Sequence, residues 1–122
     1  MIDARVRRAL LRFKRSLRET YGQRFRGLYL YGSYARGDAH ADSDVDTVIA
    51  LTGPVQPYQE LTRLSQTLSD LCLRYDLLIA TYPIPETWLR ARQVAFQCLR
   101  QRYVEISGHA SHFRRMKRRK SW

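Results

Sequence analysis

Tyr31-Gly32-Ser33-Tyr34-Ala35-Arg36-Gly37-Asp38-Ala39-His40-Ala41-Asp42-Ser43-Asp44-Val45-Asp46 joins a Gly-Ser turn to an Asp-x-Asp pair. Apolar runs stand on both sides of it: Leu28-Tyr29-Leu30 before, and Val45 to Leu51 after. Short apolar runs bounded by turn residues read as buried strands. The expected order is therefore strand, glycine turn, short helical turn, loop, strand.

The residue types in this stretch suit one kind of chemistry. Gly32 lets the backbone turn sharply and lets a ligand come close, because it has no side chain. Ser33 follows at an expected helix start, where backbone N–H groups and its hydroxyl can hold an anion such as a phosphate. Residues i and i+2 of a strand face the same side, so Asp44 and Asp46 project together. Two adjacent carboxylates repel, and one tends to stay protonated unless a cation joins them. An oxygen-only donor set suits Mg²⁺, which takes one or two carboxylates plus substrate phosphates and keeps some of its waters. A phosphate cradle beside such a site is what phosphoryl or nucleotidyl transfer requires. The plain alternative is an Asx-rich surface loop that only turns the chain.

Upstream, residues 3 to 21 read as a helix. Val6, Leu10, Phe13, Leu17 and Tyr21 form its apolar stripe, with Asp3 as N-cap and Gly22 as stop. Arg5, Arg8, Arg12, Lys14, Arg15 and Arg18 are assigned to the opposite face, either solvated or turned toward RNA or an acidic partner. Phe25 to Tyr31 is the first strand and Val45 to Leu51 the second, side by side, with the Gly-Ser turn and the aspartates at one end. Pro57 suits the start of a helix over 58 to 74, with Leu61, Leu64, Leu68, Leu71 and Tyr75 on its core face. Tyr75 to Thr81 is the expected third strand, and its lone acid, Asp76, must be exposed, paired or metal-bound. Tyr82-Pro83-Ile84-Pro85 reads as a rigid turn. Residues 86 to 101 read as helical, and Arg102 to Ile106 as a short last element.

The chain has 122 residues and a net charge of +11. That length suits one domain, and that charge favours an acidic partner: nucleotide, nucleic acid or an acidic protein face. No apolar run approaches the ~20 residues of a membrane span, and Met1 to Arg5 lacks a secretion signal's apolar core. Cys72 and Cys98 sit in apolar helical patterns and read as buried free thiols. A cytoplasmic location fits. Residues 1–108 are expected to form the domain and 109–122 a basic tail, six of whose residues from Arg114 to Lys120 are basic. A like-charge block of that density solubilises, or binds nucleic acid or an acidic partner.

Gly32-Ser33, ten intervening residues and Asp44-x-Asp46 resemble the signature of the DNA polymerase β-like nucleotidyltransferase superfamily. The short chain and Ala35-Arg36-Gly37-Asp38 resemble its minimal nucleotidyltransferase (MNT) branch. The resemblance covers about Leu28 to Ile106. It implies an α+β (α/β) fold with a small mixed sheet of three to four strands flanked by helices, closed by a short strand near Ile106. It implies ATP as substrate, with Gly32, Ser33 and Arg36 on its phosphates, and two Mg²⁺ ions on Asp44, Asp46 and Asp76. By the same resemblance Asp76 is the general base. The family often has arginine directly after the Gly-Ser pair, where this chain has Tyr34, which either weakens triphosphate binding or stacks on a base.

Many MNT proteins are antitoxins that transfer AMP to a tyrosine of a HEPN ribonuclease toxin, and the resemblance makes that the leading expectation. Three other readings compete: an antitoxin that masks its toxin by binding alone, a protein that binds RNA through its basic termini, and a nucleotidyltransferase acting on a small molecule or an RNA end. No membrane partner is expected.

Overall fold

A computed structural model describes residues 3–40, 42–91, 104–106 and 113–115, with the backbone alone at 90–91 and 113–115. Helix α1 (Ala4–Tyr21) opens the chain, and Asp3 caps it by accepting the Arg5 amide at 2.6 Å. Gly22 stops it at φ 57°, a left-handed angle that glycine tolerates. Then follow β1 (Phe25–Tyr31), α2 (Ser33–Arg36), β2 (Val45–Leu51), α3 (Pro57–Tyr75), β3 (Ile79–Pro85), α4 (Glu86–Ala91), β4 (Val104–Ile106) and β5 (Phe113–Arg115). The strands form one mixed sheet in the order β3-β2-β1-β4-β5. Only β2 and β3 run parallel; the other pairs are antiparallel. The expected mixed α+β architecture is present, with β5 added beyond the four strands anticipated.

Period-two alternation sorts β2 onto two faces. Val45, Ile49 and Leu51 join Leu28 and Leu30 in the main core, with Val6, Leu10, Phe13 and Leu17 of α1 and Leu64 and Leu71 of α3. Val48 and Ala50 turn the other way and pack with Ile84, Leu89 and Trp88, beside Tyr29 and Tyr31. Asp46 shares this second face, because it is two residues from Val48.

Four expectations need correction. Lys14 is not on the open basic face of α1: it is buried, and its Nζ donates to the Ile106 carbonyl at 2.6 Å. That bond ties α1 to β4. Leu61 lies at the margin of α3's core face and is 36% exposed. The third strand starts four residues later than expected, at Ile79, because α3 runs on to Tyr75, Asp76 caps it in the left-handed region and Leu77-Leu78 link the cap to the strand. It also runs through Pro83 and Pro85, which were expected to make a turn. As the outermost strand β3 bonds to β2 alone, and an edge position tolerates residues without an N–H. Residues 92–101 of the expected last helical segment, Cys98 and most of the basic tail lie outside the described residues.

Candidate active site

The antiparallel register sets Tyr31 opposite Asp46, so the turn after β1 lies against the start of β2. Gly32 takes φ 74° and ψ −151° there. A Cβ on Gly32 would lie 2.6 Å from Asp46 Oδ2, so the carboxylate sits directly over the glycine backbone. Any side chain at position 32 would have to displace that carboxylate and hold a positive φ.

Helix α2 begins at once. The Arg36 amide donates to the Gly32 carbonyl at 3.0 Å, and the Gly37 and Asp38 amides both donate to Ser33 O. The amides of Ser33, Tyr34 and Ala35 precede the first of these bonds and have no intrahelical acceptor. Gly37 closes the turn in the left-handed conformation at φ 86°. The loop back to β2 is tied by the His40 amide on Ser43 Oγ and the Ser43 amide on His40 O, each 2.9 Å. Val45 N then donates to Leu78 O at 2.8 Å, anchoring the start of β2 to the approach to β3.

Asp44 is exposed and Asp46 half-buried. Burial, and after it the charge of Asp44, push the Asp46 carboxyl above its ordinary value; Arg36 pulls the other way. Arg36 also meets Asp38, Nε to Oδ2, at 3.2 Å. An anionic Asp46 is thus under-compensated by the protein, which is the condition a bound divalent cation relieves. The donor chemistry, carboxylate oxygens beside phosphate-binding amides, fits Mg²⁺.

The structure therefore brings together Gly32, Ser33, Arg36, Asp44 and Asp46. It does not gather Asp76 with them. Asp76 ends α3 in the left-handed region, at φ 53° and ψ 54°. Its side chain is 101% exposed and meets Arg5 at 4.0 Å. It stands at the same end of the sheet, three residues before β3 begins. Among the described residues no group of three or more His, Cys, Asp or Glu could hold a metal ion. Tyr34 packs against the main core instead of standing open above the turn.

Tyr29, Tyr31 and Tyr82 share the face of Asp46, and Tyr82 is 43% exposed. None was singled out from sequence. The signal was available: Tyr31 pairs with Asp46 once β1 and β2 are antiparallel, and Tyr29 follows by period two.

With this geometry in hand, comparison with known proteins gives three findings. Residues 10–100 match the family model described as "Nucleotidyltransferase domain". A protein of Methanocaldococcus jannaschii named "Putative protein adenylyltransferase" is 34% identical over 68 residues, covering 56% of this chain and 68% of its own length. The crystal structure of a toxin-antitoxin with AMP-PNP superposes with a TM-score of 0.53 at 17% identity, over 81% of this chain and 73% of that one. The last likeness is one of fold.

Proposed function

This chain belongs to the nucleotidyltransferase domain family, and on that premise we propose that it moves AMP from ATP to a tyrosine hydroxyl of a HEPN-type toxin, acting as its antitoxin. The observation that carries the nucleotidyl-transfer reading is the Asp46 carboxylate seated on Gly32, with Asp44 beside it. A protein as acceptor follows the name of the archaeal relative. The toxin follows the MNT resemblance, and the structural neighbour is itself a toxin-antitoxin.

Asp44 and Asp46 would hold divalent ions, Mg²⁺ by donor type. Such ions, when bound, neutralise phosphate charge and polarise the α-phosphate. The Ser33, Tyr34 and Ala35 amides and the Ser33 hydroxyl hold the outer phosphates, and Arg36 offsets charge on the departing group. The acceptor oxygen attacks the α-phosphorus, the bond from that phosphorus to the bridging oxygen breaks, and pyrophosphate leaves. The acceptor's proton passes to a base, for which the family pattern nominates Asp76. From its cap position Asp76 reaches that role only if the Asp76–Leu78 link shifts.

The test incubates the protein with Mg²⁺, ATP labelled on the α-phosphate and its toxin partner, and follows label and intact mass. Gain of AMP by the partner, lost in Asp44→Asn/Asp46→Asn, is the expected result. Asp76→Gly keeps the left-handed backbone while deleting the carboxylate. Loss of transfer with nucleotide binding retained is expected there; full transfer would leave Asp76 a helix cap alone. The separation of Asp76 from the pair favours one second reading, an antitoxin that masks its toxin without chemistry. That reading has neutralisation surviving Asp44→Asn/Asp46→Asn.

A further inference from the structure

The outer face of α1 is a row of exposed arginines. Arg8, Arg12, Arg15 and Arg18 follow one another at steps of four, three and three residues, so they share one side of the helix. At 1.5 Å of rise per residue the row runs about 15 Å. None of the four makes an ion pair among the described residues. The opposite face of α1 is spent on the core through Val6, Leu10, Phe13 and Leu17. The helix therefore cannot turn over to bury the row or insert into a bilayer. It covers the sheet face opposite Asp46, so the row is no part of the nucleotide site.

We infer that this row is a docking surface for nucleic acid, bound through backbone phosphates without sequence preference. Charge complementarity gives the sign of the partner. Composition separates nucleic acid from an acidic protein. Protein interfaces centre on buried aromatic or aliphatic anchors, and none of the exposed large hydrophobics among the described residues (Tyr58, Leu61, Leu73, Leu78, Tyr82) is on α1. The row's basic groups are all arginine, with one exposed acid, Glu19, a turn beyond Arg15 on the same face, and the planar guanidinium fork matches phosphate oxygens in pairs. The lack of an exposed aromatic on α1 also removes base stacking, which leaves the phosphates as the recognised group.

The test measures binding of a fluorescent single-stranded RNA by the full chain across a salt series. The variants are Arg8→Gln/Arg12→Gln/Arg15→Gln and its lysine counterpart. For single strands each neutralised phosphate contributes about 0.7 to the log–log salt slope. The glutamine variant is expected to lower that slope by about 2 and to weaken binding at least tenfold. The lysine variant should hold the slope, and a single-stranded DNA of the same length should bind equally. Unchanged thermal melting and unchanged nucleotide binding in the glutamine variant show that the fold and the other sheet face are intact. The proposal is overturned by absence of RNA binding, by binding with an unaltered slope in the glutamine variant, or by equal row-dependent binding to phosphatidylserine vesicles.

Discussion

Asp46 carries two opposed demands. Folding half-buries it beside Asp44, which raises its pKa; ligation needs it ionised. A carboxylate raised in the folded state contributes stability that is fully present below its unfolded value, near 3.8, and is lost as pH rises through the folded value. Without metal, Asp46→Asn should therefore melt above the parent at pH 7 and flatten the pH dependence above 3.8. Mg²⁺ should raise the melting temperature of the parent and not of Asp46→Asn. Thermal scans with Mg²⁺ and with EDTA check both statements. Gly32 belongs to the same point in space. Gly32→Ala sets a Cβ against Asp46 Oδ2 and forces alanine to φ 74° and ψ −151°, a region nearly confined to glycine that costs about 1–3 kcal/mol. It should lower melting modestly and nucleotide affinity by tenfold or more, because the carboxylate must move to admit the methyl.

Elements meet through a few buried polar bonds. Tyr21, at the end of α1, donates to Glu60 Oε1 of α3 at 2.9 Å, and Arg24 and Arg63 flank the carboxylate at 3.9 and 3.5 Å. Burial, then the bond to Glu60, push the Tyr21 phenol up to about 12. Its folded pKa exceeds its unfolded one, so stability held below pH 10 is lost as pH rises toward 12. Tyr21→Phe should cost about 2 kcal/mol at neutral pH in a denaturant titration and abolish that alkaline slope. The elements differ in how plainly the chain announces them. Bounds of β1 and β2 follow from apolar runs between glycine and Thr52-Gly53-Pro54, and the structure has them at those residues. The end of α3 was expected to within one residue, but the start of β3 was hidden, because Asp76 takes the left-handed cap without being glycine and the apolar Leu77-Leu78-Ile79 continues past it. The prolines of β3 read as a turn because an edge position is a property of the sheet, not of the segment. At the candidate site, the nearness of Gly32 and Ser33 to the aspartate pair follows from the turn and the two flanking strands; its closure through Tyr31 and Asp46 needed the pairing register. Lys14 was misassigned because helical periodicity places it between faces. Only the packing of β4 on α1 shows that its amine is buried, where burial and then Arg18 lower its pKa against the pull of Glu105.

The sheet divides the molecule. One face carries α1 and α3 with the main core; the other carries α4, the tyrosines and the aspartate pair. The aspartate pair and the arginine row thus lie on opposite sides of the sheet, with α2 at its end packing Tyr34 and Ala35 on the main core, and the two sites share no side chain. Binding at the two should be independent, and saturating Mg²⁺·AMP-PNP should change RNA affinity by no more than about twofold, since coupling requires a differential contact. Among the described residues no helix is long and apolar enough to cross a membrane. The central claim is that Asp46, held over Gly32, completes a metal–nucleotide site. The most direct measurement is calorimetric titration of the protein and of Asp46→Asn with AMP-PNP, with Mg²⁺ and with EDTA. The account predicts Mg²⁺-dependent binding by the parent and a loss of at least about 100-fold in Asp46→Asn, some 2.7 kcal/mol. Equal binding by the two proteins, or binding indifferent to the metal, would contradict it.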